Sequence, residues 1–324
     1  MQDMPWPGAV ALSGGGDSLA LMHLLARWAK SQNAPPPQVL VVDHGLQKKS
    51  ATTAKRAALW AGELGLSAHV LAWKGKKPKG DIEGAAREAR YRLMGEWARS
   101  NGIAALYLGH TRDDQAETFL LRLARGSGLD GLSGMRVLAP YPLAGFENLR
   151  LVRPLLDESR EALRLYLKIL QQDWLEDPMN DDPRFARVRM RSLRPALEDA
   201  GLSAQRIADA ASHLSRARAA LDEITANLMT CACRIEKDAV LVDAALVAAA
   251  PQEIGLRALA GILMSISGAH YRPRFARLSL LFSKIRTGEL GNGATLGGCR
   301  VGPAPKRKAV FGPATLLIQR ETRR

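Results

Sequence analysis

The sequence predicts an α/β fold, a doubly wound and mostly parallel sheet followed by a smaller α+β region. Three observations carry this expectation. Short apolar runs alternate with amphipathic helical stretches as far as Arg125. A polar or glycine-rich cluster follows each apolar run, and in open parallel sheets the carboxyl ends of the strands are where ligands collect. Beyond about residue 140 the alternation stops, and the chain becomes helical with short strands near its end.

In chain order, strands are expected at Ala9 to Leu12, Val39 to Asp43, Ala68 to Trp73 and Ala105 to Gly109. Helices are expected between them at Leu19 to Lys30, Ala51 to Leu64 and Ile82 to Ser100, with a fourth from Asp113 to Arg125. Trp28, Trp60 and Trp97 fall inside these helices and read as core residues. Pro140-Tyr141-Pro142 and Arg153-Pro154 read as loops ahead of a helix from Ser159 to Gln171. Trp174 to Pro195 reads as polar turns running into an arginine-laced helix. A long helical pattern from Ser203 to Met229 is expected to link two domains, 1–200 and 201–324. The remainder predicts helices at Pro251 to Ser267 and Arg272 to Thr287. Strands are expected at Val240 to Val242, Thr295 to Val301, Lys308 to Phe311 and Thr315 to Gln319.

Composition narrows the function classes. A chain of 324 residues with 47% apolar content can bury a substantial core and favours two domains. No signal-peptide pattern opens it, and its richest apolar stretch, Ala239 to Ala250, is short and broken by Asp243, so no membrane partner is expected. Three cysteines, Cys231, Cys233 and Cys299, without a Cys-x-x-Cys pair suit a reducing cytoplasm and argue against structural zinc. The net charge of +14 points to a polyanionic partner, RNA or DNA rather than lipid. Residues 201–324 hold 18 basic against 9 acidic residues, so the smaller half carries most of the excess.

The most informative junction is Ser13-Gly14-Gly15-Gly16-Asp17-Ser18, between the first strand and first helix. Glycines let backbone N–H groups turn inward, and a helix N-terminus adds partial positive charge, so the loop is built to hold phosphate. No lysine occurs before Lys30, which excludes a Walker loop. Asp17 among phosphate-binding amides makes sense if Mg²⁺ bridges it to the phosphates. The alternative is a plain glycine-rich turn capped by Ser13 or Asp17.

A second constellation follows the fourth strand, from Gly109 and His110 to Gly128. Asp114 and Glu117 are three residues apart on the expected helix and share a face, where paired carboxylates could hold an ammonium group or take its proton. One of Asp113 and Asp114 is expected to cap the helix, worth roughly 1 kcal/mol. His110 sits just past a strand end at the ligand edge, and His44, after Asp43 at the end of the neighbouring strand, has the same position and could border the same ligand. Arg87 shares a helical face with Glu83 and Arg90, suited either to surface ion pairing or to neutralising phosphate charge.

The Ser-Gly-Gly-x-Asp-Ser loop resembles that of the N-type ATP pyrophosphatases. The wider set is more specific: Val42-Asp43-His44-Gly45-Leu46, Glu83-Gly84-Ala85-Ala86-Arg87, Asp113 through Met135, and Arg153-Pro154-Leu155-Leu156. Together they resemble the tRNA(Ile)-lysidine synthase family over residues 8–195. Thr111 stands where that family commonly has a second histidine, and Val188 where an asparagine often follows the arginine. The chain is also short for the additional C-terminal domain of longer members. The resemblance implies an adenine nucleotide alpha-hydrolase-like fold and use of ATP with Mg²⁺. It further implies adenylation of the wobble cytidine of a tRNA(Ile) with a CAU anticodon, then attack by free L-lysine. It assigns nucleotide contacts to Ser13, Gly14, Gly15, Gly16, Asp17, Ser18, Asp43, His44 and Gly109, with Asp17 as metal ligand. Asp114 and Glu117 would serve the lysine amine, and Arg87 and His110 the α-phosphate. Arg184, Arg187, Arg189, Arg191, Arg194 and Lys306-Arg307-Lys308 are expected phosphate contacts of the RNA. Monomer and homodimer both stay open. The rivals are tRNA thiolation on the same adenylating fold, a small-molecule amidotransferase, and an RNA-binding protein with a dead nucleotide site.

Overall fold

The computed structural model describes residues 4–46, 50–75, 77, 78, 80–176, 186–269 and 271–321, without the Glu83 side chain. The chain divides into two compact units, 1–215 and 216–324, the division falling inside one long helix.

Unit one contains a six-stranded sheet. Its strands are β1 (Gly8–Ala11), β2 (Gln38–Asp43), β3 (Ala68–Ala72), β4 (Ala105–Tyr107), β5 (Leu138–Pro140) and β6 (Arg150–Val152), in the spatial order β3-β2-β1-β4-β6-β5. All neighbours are parallel except β5, which runs antiparallel to β6 at the edge. The first four strands match the expected ones closely. β5 and β6 are not among the expected strands, and Pro140, read as loop, falls at the end of β5. Three-residue strands are too short to show a period-2 pattern, and Pro140 is tolerated because it ends an edge strand.

The strands are apolar on both sides because both faces are covered. Val10, Val39, Val41, Tyr107 and Val152 pack on one face against α1 (Gly16–Ser31), α2 (Ser50–Glu63) and α6 (Arg160–Ile169). Ala9, Leu40, Leu106 and Leu151 alternate to the other face, under Tyr91, Met94 and Ala98 of α3 (Ile82–Ser100). The crossovers from β1 run to β2 on one side and eventually to β4 on the other, so strand order reverses between β1 and β4. That is where a doubly wound sheet opens a crevice beyond its carboxyl ends. Helix α4 (Arg112–Leu123) starts at the edge of this crevice, followed by the one-turn α5 (Leu129–Leu132). The arginine-rich segment forms α7 (Ala186–Ser192) and α8 (Arg194–Asp199), and the long helix is α9 (Ala204–Ala232).

Unit two is an antiparallel sheet of β7 (Cys233–Ile235), β8 (Ala239–Asp243), β9 (Ala294–Leu296), β10 (Cys299–Pro303) and β11 (Thr315–Arg320), ordered β7-β8-β11-β10-β9. With α10 (Ala244–Ala249), α11 (Gln252–Ser267) and α12 (Phe275–Thr287) it encloses a separate core around Leu259, Leu263, Phe282, Val301 and Ile318. Two expectations are corrected. The single strand Thr295 to Val301 is a hairpin, because Gly297 and Gly298 both take positive φ and turn the chain. The strand expected from Lys308 to Phe311 is absent, and Lys306–Lys308 form a 3-10 turn instead. No helix among the described residues is long and apolar enough to cross a membrane.

Candidate active site

The loop from Ser13 to Ser18 leaves β1 at the reversal point and is held by its own hydroxyls. Ser18 Oγ receives the Ser13 N–H at 3.2 Å and donates to the Gly15 carbonyl at 2.9 Å, while Ser13 Oγ accepts the Gly15 N–H at 3.3 Å. Gly14 has φ +86°, a conformation that favours glycine. Its carbonyl accepts the Leu175 N–H at 2.9 Å, which fastens the segment after α6 onto the loop. Helix α1 begins at Gly16, so the N–H groups of Gly16, Asp17 and Ser18 have no partner within the helix and suit an anion.

The end of β4 presses against this loop. A Cβ on Gly109 would stand 2.8 Å from the Asp17 carbonyl oxygen and 3.0 Å from Ser18 Cα, so only glycine fits. The contact brings His110 alongside the loop. Thr111, the neighbouring residue, caps α4: its N–H and hydroxyl donate to Asp114 Oδ2 at 2.9 and 3.0 Å, and its oxygen accepts the Asp114 N–H. Thus the cap is a threonine with Asp114 as its reciprocal partner, in place of an aspartate cap. The box leaves Asp114 Oδ1 directed elsewhere.

Its destination is Arg160, a residue absent from the expected set. Arg160 reaches Asp17 Oδ2 at 3.1 Å, Asp114 Oδ1 at 3.2 Å and Glu117 Oε1 at 3.5 Å. One guanidinium therefore gathers all three carboxylates assigned from the sequence to metal and amine chemistry. Glu117 is also held by Arg191, through Nε at 2.6 Å and Nη2 at 3.3 Å, and Asp113 by Arg194 at 2.8 Å. Arg191 and Arg194, expected as RNA phosphate contacts, are thus engaged with carboxylates of α4. Arg184 lies outside the described residues.

Electrostatics separate the acids. Burial lifts the Asp17 carboxyl above its usual range in spite of Arg160. Burial pushes Asp114 the same way, but Arg160, His110 and the Thr111 hydrogen bonds outweigh it and hold the carboxyl below the usual range. Burial drives His110 down to about 4, with Asp114 opposing and Arg153, Arg187 and Arg87 assisting. Arg153, which the sequence marked within Arg153-Pro154-Leu155-Leu156 but gave no role in the site, donates from Nε to His110 Nδ1 at 3.2 Å. Arg87 itself lies exposed over the Tyr91 ring, 5.2 Å from its centre, close enough for its charge to act on His110.

At the end of β2, Asp43 Oδ1 accepts the Gly45 N–H at 2.9 Å and the Ser50 hydroxyl, so its carboxylate organises the turn into α2. His44 stacks edge-on to Trp73 with ring centres 6.2 Å apart, and its buried Nδ1 has no hydrogen-bond partner among the described residues. Burial, helped by Arg90, lowers its pKa to about 4. An unpartnered ring nitrogen at the carboxyl end of β2 can accept from an adenine N6 amino group or donate to one of its ring nitrogens. Asp17 fits a hard cation that draws its remaining ligands from phosphate and water, since no cluster of three metal-binding side chains exists among the described residues.

A family model described as PP-loop domain matches residues 7–197. The tRNA(Ile)-lysidine synthase of Wolbachia sp. subsp. Brugia malayi is 36% identical over 97% of this chain and 71% of its own length. That of Ruegeria pomeroyi is 40% identical over 90% and 68%, and that of Methylobacterium nodulans 39% identical over 94% and 93%. Among solved structures, the U34-tRNA thiolase NcsA from Methanococcus maripaludis shares the fold at a TM-score of 0.51 and 17% identity, covering 64% of this chain and 72% of that one.

Proposed function

Since the chain belongs to the tRNA(Ile)-lysidine synthase family of PP-loop proteins, we propose that it ligates lysine to C2 of the wobble cytidine of a CAU-bearing tRNA(Ile), using ATP. The observation that carries the site assignment is the convergence of Asp17, Asp114 and Glu117 on Arg160 at the carboxyl edge of β1 and β4. A cluster that joins Asp17 to Asp114 and Glu117 suits two successive steps at one C2–O2 group, adenylation of the oxygen and then substitution at the carbon.

The loop amides of Gly16, Asp17 and Ser18 receive the pyrophosphate end of ATP, and His44 meets the base. The cytidine O2 attacks the α-phosphorus and pyrophosphate leaves, which turns a poor leaving oxygen into AMP. His110, neutral at pH 7, donates from Nε2 to oxygen on the α-phosphate, and Arg87 adds positive charge beside it. Asp17 would hold a Mg²⁺ ion, whose contribution would be to offset the negative charge of the departing pyrophosphate. The lysine ε-amine then approaches Asp114 and Glu117 alongside Arg160. These carboxylates accept its protons as nitrogen bonds to C2, the C2–O bond breaks and AMP departs.

An anticodon loop offers splayed bases, the kind of RNA target that single-strand readers select. Basic residues, among them Arg187, Lys306 and Arg307, position it through phosphates. We place the protein in the cytoplasm with its tRNA. Sulfur transfer to tRNA on the same fold would need thiolates near the adenylate, and this chain has no cysteine before Cys231. The deciding experiment is incorporation of labelled lysine into unmodified tRNA(Ile) CAU transcript with ATP, against tRNA(Met). Labelling of the first alone, lost in Asp17→Ala, is expected; labelling of neither, or of both equally, refutes the assignment.

A further inference from the structure

Arg160 has no role in the steps just described, yet it is held at both its backbone and its side chain. It opens α6, where Ser159 caps the helix by accepting the Ala162 N–H at 3.1 Å, and its own N–H donates to Asp113 Oδ2 at 2.9 Å. The side chain therefore leaves from a fixed point and is itself largely covered, 19% exposed. Its planar fork sends Nε to Asp17, Nη2 to Asp114 and Nη1 to Glu117. A lysine could not span three acids in this way, because it offers a point charge where arginine offers a rigid set of donors.

The three acids depend on it unequally. Asp114 is already fixed by Thr111 through Oδ2. Among the described residues, Glu117 has no such anchor. Its other partner is Arg191 on α7, which takes both oxygens and draws the carboxylate toward that helix. Among the described residues, Arg160 is the link between Glu117 and Asp114.

We propose that Arg160 is a positioning residue for the lysine-transfer step, holding Glu117 beside Asp114 and tying that pair to Asp17 on the phosphate side. The inference rests on the reading that Asp114 and Glu117 take the ε-amine of lysine. Without Arg160, Glu117 goes over to Arg191 and three like charges face each other with one neutralising partner fewer. The amine-side site opens, while the phosphate-binding amides keep their own geometry.

The test separates the two steps. Pyrophosphate release with tRNA(Ile) transcript but no lysine reports adenylation, and label incorporation against lysine concentration reports transfer. Arg160→Gln is expected to raise the lysine KM about tenfold or more, the loss of a charged hydrogen bond, while adenylation falls less than about threefold. Arg160→Lys restores part of the KM, and millimolar guanidinium restores part of the activity of Arg160→Ala. Adding Arg191→Gln to Arg160→Gln removes the opposing pull and lowers the lysine KM again.

Equal loss of both steps without guanidinium rescue would reduce Arg160 to a scaffold residue and overturn the inference. A lysine KM that falls in Arg160→Gln would make it a competitor of the amine, which also overturns it. Should Arg160→Gln fail to fold, Arg160→Lys with unchanged lysine KM overturns it as well. Failure of the wild-type protein to label tRNA at all refutes the assigned reaction instead.

Discussion

Arg153 donates from Nε to Nδ1 of His110 at 3.2 Å, which fixes the neutral ring with its proton on Nε2. With the pKa held near 4 by burial, the imidazole is a neutral donor throughout the physiological range. His110→Ala is expected to slow single-turnover pyrophosphate release by about 10² to 10³, the usual cost of losing one donor to a developing oxyanion. His110→Gln, which keeps an N–H, should recover part of that rate, and a rate dependent on protonated histidine near pH 6 would contradict the assignment.

Stability should fall in mild acid. His44 and His110 both have folded pKa values lowered from 6.5 to about 4, so below pH 6.5 the unfolded chain binds protons that the native protein refuses. Their contribution is complete above pH 6.5 and drains away as pH drops toward 4, by roughly 1–3 kcal/mol for each buried ring. Urea midpoints measured from pH 7 to 4.5 are expected to decline more steeply in wild type than in the His44→Asn/His110→Asn double variant.

Two glycines of the loop region should respond differently to alanine. At Gly14 the new methyl meets Leu175 Cδ1 at 2.8 Å, the far end of a flexible side chain, and suffers a positive φ worth roughly 1–2 kcal/mol. Leu175→Ala should therefore recover part of the nucleotide affinity lost in Gly14→Ala. At Gly109 the methyl meets backbone of Asp17 and Ser18. Gly109→Ala is expected to abolish ATP binding by calorimetry, with no side-chain truncation able to restore it.

Charge in the second unit can be counted by salt. Lys306 and Arg307 are exposed, whereas Lys308 pairs with Glu236. Replacing the first two with alanine should reduce the slope of log affinity against log salt by about 2 for tRNA binding, and weaken all tRNAs alike. Lys308→Ala should change the slope less, because its charge is already partnered.

Helices and central strands were legible because their periodicity is local. Ile82–Ser100 is expected and observed with identical ends, and β2 begins one residue early. The loop glycines, His110, Asp114 and Glu117 were legible as residue types at strand ends. What sequence concealed is the set of cations holding them. Arg160 lies 143 residues from Asp17 and 43 from Glu117, Arg191 lies 74 from Glu117, and Arg153 lies 43 from His110. Such pairs exist only after β4, β6 and α6 are packed, and no local pattern encodes them. Thr111 was visible as a departure from a family pattern, yet its capping box with Asp114 needed only the spacing of three residues that marks such boxes.

A methyl group placed on Gly16 would sit 3.6 Å from Cγ of Trp174, so an indole lies within van der Waals reach of the first helical turn that faces phosphate. The protein thereby carries its own optical reporter. Intrinsic fluorescence should shift as nucleotide enters, with Trp174→Phe silencing the signal, and stopped-flow emission can time ATP arrival on the unlabelled enzyme before any tRNA is added.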